Sequence, residues 1–151
     1  MRNLMSPLIG LAVAIAMASP AAADWTIDNG GSDSYQTTGV TEDGRVTIMI
    51  GCSGGGRISM QLNTDIPYIN DNAYTVPISV TIDGRLQPIF NGDLMPDREL
   101  VLVSGSGTLP TIVSAIASSK STIDVQFDKW KYRFSAKGST AAMHYLQEKC
   151  Q

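Results

Sequence analysis

Residues 4–18 are almost all apolar, follow Arg2 and run on toward Ala21-Ala22-Ala23. A positive start, an apolar middle and small residues at the end form the pattern of a cleavable export signal. The run is too short for a good membrane span and is broken by Ser6, Pro7 and Gly10. This reading takes residues 1–23 out of the fold and leaves about 130 residues, near the usual size of a single domain. The expected product is periplasmic, with secretion beyond the cell as the alternative. Asp24, not cysteine, follows Ala23, so neither a lipid anchor nor an integral membrane segment is expected after cleavage.

Export decides how the cysteines are read. The chain has two, Cys52 and Cys150, and in an oxidising compartment an even number favours a disulfide. Neither belongs to a Cys-x-x-Cys pair, and the single histidine, His144, falls on the same predicted helix as Cys150. A metal site lacks sulfur and imidazole ligands, and no cofactor is expected. Eleven basic residues face fourteen acidic ones, for a net charge of −3 without charge blocks, a balance that suits neither nucleic acid nor an anionic membrane. Lys129, Lys131, Arg133 and Lys137 lie close together and read as the solvated face of a strand.

The mature chain begins with Trp25-Thr26-Ile27, a candidate short strand, but residues 28–44 are rich in Gly, Asp, Ser and Thr. Residues 24–44 therefore read as a flexible arm. From residue 45 the period becomes two: Val46, Ile48 and Ile50, then a Ser53-Gly54-Gly55-Gly56 turn, then Ile58, Met60 and Leu62. That glycine run lacks the Gly-Lys-Ser/Thr ending of a phosphate loop. Ile78 to Ile82, Asp83-Gly84 and Arg85 onward form a hairpin signal, because Asp-Gly suits a two-residue turn. Residues 100–103 read as a buried strand and residues 111–119 as a short helix after Pro110. Residues 123–127 and 130–136 read as an aromatic-faced hairpin. A last helix is capped by Ser139, with Met143, Leu146 and Cys150 on its inward face and His144 outside.

These elements predict an α+β fold, mostly antiparallel β, either sandwich-like or a strongly curved sheet, with a short helix and a C-terminal helix. Residues 45–151 form its one domain. The strand ending in Cys52, the Val80-Thr81-Ile82-Asp83-Gly84 segment, the helix near residues 112–117, the run from Tyr132 through Gly138-Ser139 and the terminal Cys150 resemble a group of small exported bacterial proteins. Type VI secretion accessories of the TagO/VasI type belong to that group, and the resemblance spans residues 45–150. It implies a β-rich exported fold and an accessory role, and it brings no catalytic residues with it.

No nucleophile elbow, metal-ligand cluster or phosphate loop stands out. The expected function is a non-catalytic binding or accessory protein of the cell envelope, its partner an envelope protein or a cell-wall component. An inhibitor of an envelope-directed enzyme such as lysozyme is the alternative, and a hydrolase using His144 the third reading. The loops at residues 63–75 and 91–98 are the candidate contact surface, with Tyr68, Tyr74, Asp93 and Asp97 as candidate binding residues. The tyrosines either form a ligand platform or seal a core edge with their hydroxyls in water. The carboxylates are too few and irregularly spaced for calcium.

Overall fold

Alternation along the strands sets the architecture. In a computed structural model that describes residues 24–29, 34–53, 55–66, 73–95, 100–104 and 107–151, Ile48, Ile50 and Cys52 of β3 (Thr47–Ser53) face inward. They oppose Leu62, Met60 and Ile58 of β4 (Arg57–Asn63). The Asp83-Gly84 pair turns β5 (Tyr74–Ile82) into the two-residue β6 (Arg85–Leu86), with both turn residues at positive φ, 49° and 80°. Asp128-Lys129, with Asp128 at φ 48°, turns the chain between β9 (Thr122–Phe127) and β10 (Trp130–Ser135), which fixes Phe134 opposite Ile123 and Arg133 opposite Asp124.

Two segments differ from expectation. The described residues of the expected 24–44 arm, 24–29 and 34–44, are not loose: β1 (Trp25–Asn29) pairs along its length with β2 (Ser34–Val40), and β2 pairs along its length with β3. The composition misleads because one large side chain replaces the usual apolar alternation. Trp25 is only 3% exposed, and it lies over Gly39, where a Cβ would come within 2.7 Å of the indole. Residues 91–95 are not loop either. They belong to β7 (Phe90–Met95), which turns Phe90, Gly92 and Leu94 inward and Asn91 and Asp93 outward, so that turn-forming residue types conceal a period of two.

With β8 (Leu100–Ser104), the strands run in the hydrogen-bonded order β1-β2-β3-β4-β8-β7-β5-β9-β10, and β6 pairs β5. Every pairing is antiparallel. The sheet curls until its two ends meet: Thr41, just past β2, bridges Phe134 of β10, and the Trp25 indole N–H donates to the Ser135 carbonyl at 2.8 Å. Of the two expected forms, the strongly curved sheet is the one realised.

Helices α1 (Leu109–Ala117) and α2 (Ser139–Lys149) pack on each other, α1 also against β4 and β5 and α2 against β1 and β2. Pro110 sits in the first turn of α1, where no donor is lost. Ser139 does not cap α2. Gly138 holds the cap position at φ 84°, and the buried Ser139 hydroxyl donates to the carbonyls of Ala136 and Ile116, tying the start of α2 to the end of α1. At the other end of α2, Cys150 forms a disulfide with Cys52 across 98 residues, at a Cα separation of 5.8 Å.

Candidate functional site

Where the ends of the sheet meet, the backbone leaves a cleft of about 450 Å³. Its floor is Val46 and Phe134, both buried. Its walls come from three places distant in sequence: the β2–β3 turn, Asp65 after β4, and β10 with the start of β9.

The turn is held by its own side chains. Thr41 Oγ1 donates to Asp43 at 2.7 Å, and Asp43 accepts from the Arg45 backbone N–H at 3.2 Å and from Nε at 3.0 Å. The Thr41 hydroxyl first, then the Arg45 donors, keep the Asp43 carboxyl below its ordinary value. Arg45 reaches on, its Nη2 2.9 Å from Asp65 Oδ2, and Asp65 Oδ1 accepts from the Tyr132 hydroxyl at 3.1 Å. Burial, and then the Asp65 carboxylate beside it, push the Tyr132 phenol well up, so it stays protonated and donating.

On the opposite wall, Asp124 and Arg133 face each other across the β9–β10 hairpin and form a two-point pair at 2.7 and 2.9 Å. Lys131 stands 3.5 Å from the same carboxylate. The Asp124 side chain is 10% exposed and that of Arg133 is 64% exposed, so the acid lies behind and the guanidinium in front. Hydrogen bonds from Arg133 outweigh burial and lower the Asp124 pKa, while Arg133 is raised in return.

This pair carries a prediction with a defined pH window. Asp124→Asn should cost about 1–2 kcal/mol in urea unfolding at pH 7, below the usual value for a buried pair because Arg133 is largely solvated. The Asp124 pKa is lower in the folded chain than in the unfolded one. Its contribution is therefore complete above roughly pH 4 and is lost as pH falls further. The two proteins should differ at pH 7 and converge in acid; a difference that persists in acid contradicts the assignment.

At the far side of α1, Asp83 serves the fold. Its carboxylate accepts from the backbone N–H groups of Lys120, Ser121 and Thr122 at 2.8, 2.9 and 3.1 Å, and from the Ser121 hydroxyl at 2.8 Å. These donors, led by the Lys120 N–H, hold its pKa far below the carboxylate range and lock the β5–β6 turn to the loop after α1. Beside this anchor, the Leu86 and Ile89 side chains are 63% and 59% exposed, with Pro88 exposed between them. Among the described residues β6 pairs with β5 alone, which leaves its outer edge open.

Only some of the residues singled out from sequence can be placed. Tyr68 and Asp97 lie outside the described residues. Tyr74, 45% exposed, begins β5 opposite Leu94, and Asp93 lies opposite Thr75, whose hydroxyl donates to it at 2.9 Å. Neighbours along a strand point to opposite faces, so Tyr74 stands at the core rim on the Leu94 side while Asp93 points outward. The two do not converge on one site. His144 is exposed on α2, and Cys52 and Cys150 are spent on each other.

Sequence reading missed Asp65, Arg45 and Tyr132 as a group, because the curl of the sheet and not any local motif brings them together. The Asp124–Arg133 pair did have a signal: a two-residue turn at Asp128-Lys129 dictates that register. Of the basic cluster, Lys131 and Arg133 line the cleft, whereas Lys129 lies 5.5 Å over the Trp130 ring. Among the described residues no group of three or more His, Cys, Asp or Glu is placed to hold a metal, and no helix is long and apolar enough to cross a membrane. No protein-family model matches the chain, and no curated protein or solved structure is significantly similar to it.

Proposed function

We propose that this chain is an exported, non-catalytic binding protein of the bacterial cell envelope, an accessory that docks on another envelope protein. The export-type start and the disulfide support a periplasmic setting, and the resemblance to type VI secretion accessories supports the role.

One observation carries the reading: Leu86, on the edge of β6 that no other described strand covers, and Ile89, in the link to β7, are both more than half exposed and lie either side of the exposed Pro88. Burying such a side chain fully gains roughly 1.5–3 kcal/mol, and an open edge offers backbone groups to an added strand. Apolar side chains and free backbone suit an extended protein segment better than a glycan.

The test is in-cell crosslinking with identification of captured partners, for the parent and for Leu86→Ser/Ile89→Ser. The double variant should alter stability by less than about 0.5 kcal/mol per site, as surface changes do, yet lose the captured partner. Undiminished capture would remove the edge from consideration. An envelope hydrolase as the captured partner, inhibited by the parent and not by the variant, would favour the inhibitor alternative.

A further inference from the structure

The seam cleft holds charged groups that the fold leaves partly unspent. A guanidinium carries five N–H donors. Arg45 commits Nε to Asp43 and Nη2 to Asp65, and Arg133 commits Nε and Nη2 to Asp124. Among the described residues the Nη1 group of each is left for other acceptors. Lys131 Nζ is ion-paired with Asp124 at a long 3.5 Å, and an ammonium has three donors, so some remain for a ligand. Glu42, exposed on the rim, makes no hydrogen bond among the described residues, although it lies close enough to Arg133 to help raise its pKa. The cleft therefore offers cationic donors on the β10 wall and one uncommitted carboxylate on the β2–β3 turn.

We infer that this cleft binds a small zwitterion, a molecule with a carboxylate and an ammonium group. The carboxylate is received by Lys131 and the free edge of Arg133, and the ammonium by Glu42. Charge balance argues against simpler ions. Arg45, Lys131 and Arg133 are matched in the lining by Glu42, Asp43 and Asp65, and Asp124 behind them tips the sum to one negative charge, so a bare anion meets no net attraction and a bare cation leaves the donors of the β10 wall unused. A ligand carrying both signs gains from each wall. Size agrees, since about 450 Å³ is within the span of small-molecule sites. Rigidity agrees as well: both arginines are held at two points and the floor is buried, which reduces the ordering cost of binding.

The test uses glycylglycine as the probe, titrated into the isotope-labelled exported chain and followed by NMR. Resonances of residues 41–46 and 131–135 should shift. N-acetylglycylglycine, which lacks the ammonium, and glycylglycinamide, which lacks the carboxylate, should each bind at least about tenfold more weakly, the loss expected for one charge-assisted contact. Glu42→Gln should abolish the preference over the acetylated form, and Lys131→Gln should reduce the preference over the amide, since Arg133 remains. Both positions are exposed, so neither change threatens the fold. The absence of shifts at millimolar glycylglycine, or equal binding of all three compounds, would overturn the inference. Neither result bears on the β6 edge.

Discussion

Reduction of the Cys52–Cys150 disulfide is expected to lower the melting temperature by roughly 10–20 °C while leaving the native fold in place. The bond closes a loop of 98 residues, and in the chain-entropy view a loop of that length restricts the unfolded ensemble by about 4–5 kcal/mol, with native disulfides in small domains costing 2–5 kcal/mol to remove. For a chain of this size each kcal/mol corresponds to about 3–5 °C. The folded state keeps other holds on α2. Ala142, Met143 and Leu146 are buried, the Ser139 hydroxyl ties the first turn to α1, and Tyr145 packs edge-on against Tyr35 with ring centroids 6.1 Å apart. Hydrogen exchange should then show fraying confined to the last turn of α2, near Cys150. Calorimetry of the reduced chain, and of Cys52→Ala/Cys150→Ala, measures the effect directly. A loss under about 1 kcal/mol would mean that the unfolded chain is already constrained in some other way.

Much of this architecture was legible because strand alternation and turn chemistry agree. Val46 to Ile50, Ile78 to Ile82 and Ile123 to Phe127 announce their inward faces, and Asp83-Gly84 announces its turn. Asp83 illustrates the limit of such reading. Its place at the turn follows from Asp-Gly chemistry, but its second task, gathering the N–H groups of residues 120–122, depends on where the end of α1 falls in space. Ser139 is a similar case. A serine ahead of an apolar helical pattern reads as a cap, and only the neighbouring end of α1 makes the Ile116 carbonyl a competing acceptor.

The cleft was less legible than the fold for the same reason. Arg45, Asp65 and Tyr132 are far apart in sequence and meet because ten strands curl enough to bring β10 against the β2–β3 turn. No local window contains that curvature. Two of the candidate loop residues, Tyr74 and Asp93, do not converge for a simpler cause: they sit on paired strands, but register places Asp93 opposite Thr75 and Tyr74 opposite Leu94, on opposite faces of the sheet.

The same seam sets the second large effect. Trp25→Ala is expected to destabilise the chain by about 3–5 kcal/mol, the range for truncating a buried aromatic side chain. Trp25 is 3% exposed, fills the space that Gly39 leaves, and donates its indole N–H to the Ser135 carbonyl at 2.8 Å. It therefore joins the first strand to the last, and its loss opens a cavity and leaves a carbonyl without that donor. Trp25→Phe separates the two contributions: it keeps most of the apolar volume and removes the donor, and it should cost roughly 1–3 kcal/mol less than the alanine change. Chemical denaturation of the three proteins gives both numbers. If residues 24–29 were a dispensable arm, Trp25→Ala would change stability by no more than about 0.5 kcal/mol, as an exposed substitution does. If the strand closes the sheet as its pairing with β2 indicates, the alanine chain should also lose hydrogen-exchange protection at both β1 and the end of β10, because the Trp25 indole hydrogen-bonds the one to the other.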